Sequence, residues 1–140
     1  MQTLIDLLHA QGCSCVIRNG TEVRTFRQRG VADLYDLYLN EPAFLQGADI
    51  ADKVVGKGAA ALMRLGGIRR IYADVLSEPA AELLKAGNIP TACGRQVPHI
   101  VNRRGDGFCP LETACMEVPF ERIFPVIRQF VEHLRQTAQS

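Results

Sequence analysis

The stretch ADKVVGKGAAALM, residues 51–63, combines two lysines, two glycines and a run of small apolar residues. It reads as a strand or loop feeding a helix N-terminus. Free backbone N–H groups and the positive end of the helix dipole favour an anion there. Known phosphate motifs can be tested by counting. A Walker-type loop, G-x-x-x-x-G-K-[ST], needs Gly at position 51 and Ser or Thr at 58; the chain has Ala51 and Gly58, which excludes it. The dinucleotide fingerprint G-x-G-x-x-G begins with Gly56 and Gly58 but meets Ala61 at its third glycine, and no acidic residue follows a strand at the right distance. What remains is an anion site built from Gly56, Lys57 and Gly58, with Lys53 and Lys57 adding charge. The bland alternative is that the glycines admit close packing and the lysines face water.

Other residues carry chemistry by type and place. Ser77 and Glu78 precede Pro79 at the start of a second helix, at the same sheet edge as Gly56. That carboxyl edge is where open α/β sheets bind ligands; helix capping by Ser77 is the alternative. Asp49 and Asp52 flank the candidate site and could hold a ligand hydroxyl or pair with Lys53 or Lys57. Cys109, in GDGFCPLE, stands just before a helix opened by Pro110, a position that lowers a thiol pKa and makes a nucleophile. Glu112 beside it would oppose ionisation, and otherwise only complements the dipole of its own helix. A metal site from Cys93, His99, Cys109 and Cys115 lacks any C-x-x-C pair, so no metal ligands are assigned. Cys13 and Cys15 read as buried thiols on one face of a strand. Arg103 and Arg104 would bring positive charge near Cys109.

The elements that must position these residues follow from periodicity. Leu4, Ile5, Leu7 and Leu8 recur at helical spacing up to Gly12. CSCVIRNGTEVRTF reads as a hairpin turning at Asn19-Gly20, a type I′ pair. VADLYDLYLNEP is a helix that ends before Pro42. Then the order alternates: a helix from Gly56 closed by Gly66-Gly67, a strand IRRIYADVL, a helix SEPAAELLKAG, and strands NIPTAC and VPHIVN. RRGDG is a tight turn, Pro110 to Cys115 a short helix, and Phe120 to Leu134 a long amphipathic helix whose polar tail QTAQS frays. A hairpin leading into strand–helix units predicts a mixed sheet with helices on both faces.

Size and charge bound the rest. The 140 residues predict one domain, 1–140, with 47% hydrophobic residues sufficient for a core. A net charge of +1 gives no global electrostatic case for nucleic acid or an anionic membrane. No run of 18 apolar residues predicts a membrane span, and MQTLIDLLHAQG has no basic lead of a secretory signal. Five cysteines, an odd number, are expected as reduced thiols in a cytoplasmic protein.

The segments RGVADLYDL, ADKVVGKGAAALM, ADVLSEPAAELL and VPHIVNRRGDGFCPLE together resemble a family of small, mostly bacterial domains of unknown function with cytidine-deaminase-like architecture. The resemblance runs from about Cys15 to Cys115. It implies a three-layer α/β/α fold around a central five-stranded sheet, and no settled activity. Zinc deaminases carry H/C-x-E at one helix start and P-C-x-x-C at the next. The corresponding positions here are Val55-Gly56-Lys57 and Pro79-Ala80-Ala81-Glu82-Leu83, so every zinc-ligand position is apolar and Lys57 stands where the proton shuttle would be. The expectation is a domain without zinc or other cofactor. It would bind a small anionic or nucleotide-like molecule through Asp52, Lys53, Gly56, Lys57, Gly58, Ser77 and Glu78. Two alternatives stand beside it: a metal-independent enzyme with Cys109 as nucleophile and Lys57 as electrostatic stabiliser, and a structural or regulatory homo-oligomer assembled through the last helix.

Overall fold

The structure, a computed structural model, describes residues 1–27, 31–100 and 109–139. The amino-terminal helix α1 (Gln2–Gln11) ends at Gly12 in the left-handed conformation. The hairpin strands are β1 (Cys15–Asn19) and β2 (Glu22–Phe26), followed by helices α2 (Ala32–Asn40) and α3 (Pro42–Leu45). Two strand–helix units come next: β3 (Asp49–Val55) with α4 (Lys57–Gly66), and β4 (Arg70–Ser77) with α5 (Glu78–Ala86). The last strand is β5 (Thr91–Val97), and α6 (Pro110–Cys115) and α7 (Phe120–Gln139) complete the order. Among the described residues no helix is long and apolar enough to cross a membrane.

The sheet has five strands in the order β2-β1-β3-β4-β5. β1 is antiparallel to both β2 and β3, while β3, β4 and β5 run parallel. Parallel neighbours need crossovers, and α4 and α5 supply them. Both helices therefore start at the carboxyl ends of adjacent strands. The larger core lies on their side of the sheet, where Ile17, Ile50 and Ile71 meet Ala60, Leu84, Ile123 and Ile127. On the other face Leu4 and Leu8 of α1 cover Val16 and Ala51. The expected mixed five-stranded α/β sheet, with helices on both faces, is thus observed.

Several local expectations change. Asn19 pairs with Glu22, so the central turn residues are Gly20 and Thr21. Gly20 has φ +61° and Thr21 is not left-handed, the pattern of a turn with glycine first. Asn19 instead donates through Nδ2 to the Phe44 carbonyl at 2.8 Å and the Gln46 carbonyl at 3.0 Å, fastening the hairpin to α3. Cys13 and Cys15 lie in cores on opposite faces, because strand alternation begins only at Cys15. One strand, β5, stands where two were read; residues 98–100 are outside it, and residues 101–102 and the RRGDG turn lie outside the described residues. The last helix continues to Gln139 instead of fraying after Arg135, and it buries Ile123, Ile127 and Val131 on its apolar side.

Asp49 opens β3 and is 2% exposed. It takes hydrogen bonds from three arginines: Arg69 through Nε at 3.1 Å and Nη2 at 2.8 Å, Arg70 at 3.0 Å, and Arg18 at 3.1 Å. Burial alone would raise its pKa. The hydrogen bonds from Arg69, Arg70 and Arg18 outweigh burial and hold the carboxyl well below the usual carboxylate range. Because the folded pKa is depressed, this stability is complete above the unfolded value near ~4 and is lost as pH falls below it. Asp49→Asn is expected to cost about 3 kcal/mol at pH 7, with the gap to wild type closing in urea melts taken progressively below pH 4; an equal gap at every pH would refute it.

Candidate functional site at the amino end of α4

Gly56 is the N-cap of α4 in extended conformation, and its side-chain-free cap leaves the first N–H groups of the helix open. Glu112 of α6 reaches this point. Its Oε1 accepts the Lys57 backbone N–H at 3.3 Å, and its Oε2 accepts the Ile100 N–H. Glu112 is 2% exposed, so a buried carboxylate of the chain itself sits where the sequence predicts an anion. The fit depends on missing side chains. A Cβ at Gly58 would lie 2.7 Å from Leu111 Cδ2, and one at Gly56 would lie 3.3 Å from Ile100 Cγ1. Both glycines therefore admit α6 and its approach, the packing role that sequence alone could not separate from ligand binding.

Lys57 is the first helical residue, and its Nζ donates to the Met116 carbonyl at 3.1 Å. The ammonium thus caps the carboxyl end of α6, where a cation is favoured. Cys109 is at the other end of that six-residue helix, about 9 Å away along its axis. Lys57 and Cys109 are on neighbouring elements, and the hydrogen bond of the lysine is made at the opposite end of α6 from Cys109. Cys109 is half-buried; its backbone N–H donates to the Ile100 carbonyl at 2.8 Å, so residues 100 and 109 are held together. Cys115 is buried, and burial pushes its thiol up to about 11, with the nearby Glu112 and Cys109 adding and Lys57 opposing.

The remaining predicted residues divide. Ser77 is fully buried and caps α5, accepting the Ala80 N–H at 3.2 Å. Glu78 is exposed on a shallow groove of about 310 Å³ with Glu82, Lys85 and Gln96. An adjoining groove of about 530 Å³ extends under Ile89 and Cys93 of the β5 edge. Lys53 is exposed, and its backbone N–H donates to the Ser14 carbonyl. Asp52 pairs across the sheet with Cys15 on β1 and Ala73 on β4, which places it in a row facing the larger core. Val55, Ala80 and Leu83, at the positions matched to zinc ligands, are all buried apolar side chains. Among the described residues no group of three or more His, Cys, Asp or Glu side chains is arranged to hold a metal. Glu112 is the residue sequence reasoning assigned to its own helix and missed at α4. No spacing signal could have revealed a contact 55 positions away.

Burial raises the Asp52 pKa to about 7; the Val54 and Lys53 N–H groups oppose this and the charge of Asp74 adds to it. The folded state therefore binds a proton that the unfolded chain releases near ~4, so stability falls as pH rises from there through 7. Asp52→Asn removes that dependence. Relative to wild type it should gain about 2 kcal/mol between pH 5 and 8 in urea unfolding, roughly half the full linkage because Asp52 is partly open to solvent. A constant difference across that range would show that Asp52 is charged throughout.

A family model described as a domain of unknown function, DUF1893, matches residues 3–131. No curated protein matches the chain. The crystal structure of a DUF1893 family protein (TM1506) from Thermotoga maritima is similar, with a TM-score of 0.82 and 22% identity over 94% of this chain and 88% of that one. At that identity the likeness speaks to fold alone. With the family model spanning nearly the whole sequence, the chain belongs to the DUF1893 family of domains of unknown function.

Proposed function

We propose that this chain is a zinc-free domain of cytidine-deaminase-like architecture. It takes a small anionic or nucleotide-like molecule at the carboxyl edge of β3 and β4, in exchange with Glu112. The observation that carries the reading is the Glu112 carboxylate on the Lys57 N–H: the amino end of α4 holds an anion already, supplied by a short helix. The sheet order and the adjacent starts of α4 and α5 support the architecture. Buried Val55, Ala80 and Leu83 support the lack of zinc. A ligand carboxylate or phosphate replacing Glu112 would receive the α4 N–H groups, and Lys57 could turn to it from the Met116 carbonyl. Glu78, beyond the Ser77 cap, opens α5 at the same sheet edge, while Asp52 and Lys53 lie mid-strand in β3.

The enzyme reading with Cys109 is less well supported, because Lys57 caps the far end of α6. The assembly reading rests on the exposed face of α7; Ile123, Ile127 and Val131 of that helix are buried in the core and Leu134 is 52% exposed, and no further observation favours a second copy there.

Glu112 competes with any ligand from within the same chain, at a high effective concentration. Wild type should therefore bind weakly. Glu112→Gln keeps the shape, removes the resident charge and should raise affinity for a nucleoside monophosphate at least about tenfold. Lys57→Ala in the same background should reverse most of that gain. The readout is an NMR titration at the Lys57 and Gly58 amides; equal affinity in wild type and Glu112→Gln would overturn the exchange.

A further inference from the structure

The three arginines around Asp49 carry more charge than that carboxylate balances. Arg18, Arg69 and Arg70 against Asp49 leave a local surplus of 3 − 1 = +2, whereas the whole chain sums to +1, so the remainder sums to −1. All three guanidiniums reach the same carboxylate within 3.1 Å, which forces them close together despite their repulsion. Their side chains are 31%, 65% and 43% exposed, so the cluster opens to solvent. Arg18 and Arg70 each spend one donor nitrogen on Asp49 and Arg69 two, out of five N–H groups on each side chain. The Arg70 Nε is buried and meets no acceptor among the described residues. The cluster stands at the first residue of β3, about 20 Å along that strand from α4.

We propose that Arg18, Arg69 and Arg70, held in place by Asp49, form a binding site for a phosphomonoester dianion. Two negative charges match the surplus, and the planar forks of arginine match phosphate oxygens. The buried carboxylate fixes the guanidiniums before the ligand arrives, which lowers the ordering cost of binding. A phosphodiester bears one charge and leaves the cluster half neutralised, so a nucleic-acid backbone fits less well. This site is separate from the one at α4 and stands whether or not that reading holds.

The test uses the full chain with arginine side chains labelled with ¹⁵N, titrated at constant ionic strength with methyl phosphate and with dimethyl phosphate. The Nε–H signals of Arg18, Arg69 and Arg70 should shift together and saturate with methyl phosphate, with dimethyl phosphate at least tenfold weaker. Arg69→Gln should weaken methyl phosphate about tenfold. Arg69→Lys, which keeps the charge and loses the fork, should lie between. Lys57→Ala should leave these signals and their midpoint unchanged. Shifts reproduced by sodium chloride, equal binding of the diester, or an unaltered midpoint in both Arg69 variants would overturn the proposal.

Discussion

The arrangement around α4 depends on one contact, the buried carboxylate of Glu112 at the amino end of that helix. A helix start leaves backbone N–H groups without partners, and burying them uncompensated is costly. Glu112 answers the Lys57 N–H and, with its second oxygen, the Ile100 N–H. One side chain thus joins α4, α6 and the segment entering residue 100. Lys57 closes the arrangement from the opposite side by capping α6. The two glycines at positions 56 and 58 keep the gap narrow enough for both bonds. Removing any of these parts would loosen the others, because each is seated by its neighbours.

The strand leading to that point treats its two carboxylates in opposite ways. Asp49 at its start is surrounded by guanidiniums and stays charged. Asp52, three residues on, has Cys15 and Ala73 beside it, and burial raises its pKa to about 7, so the neutral form prevails below that pH. The contrast comes from partners rather than residue type: desolvation acts on both, and among the described residues the cations that reverse it stand around Asp49. The start of β3 is therefore held by charge, and its middle carries a carboxyl whose pKa is raised by burial.

What was legible in the sequence was local. Gly12 and Gly67 stop helices in the left-handed conformation, Ser77 caps α5, and the alternation after residue 48 gave parallel strands joined by helices. These signals lie within a few residues of the feature they cause. The helix start at Gly56 was legible as an anion position, but its occupant was not, because Glu112 arrives from a distant segment. The three partners of Asp49, at positions 18, 69 and 70, were hidden for the same reason. Cys13 was misplaced by extending strand alternation past the strand's first residue, and the hairpin turn shifted by one residue because Asn19 had carbonyls of α3 to bind.

The most direct test of this account is a pH titration by NMR that follows the Lys57 and Ile100 amide protons together with the Glu112 side-chain ¹³Cδ. If one carboxylate serves both donors, the three signals will titrate with a single midpoint, and both amides will lose that response in Glu112→Gln. Amides that ignore the Glu112 titration, or that respond unchanged in the variant, would mean that the α4 terminus is not held by Glu112.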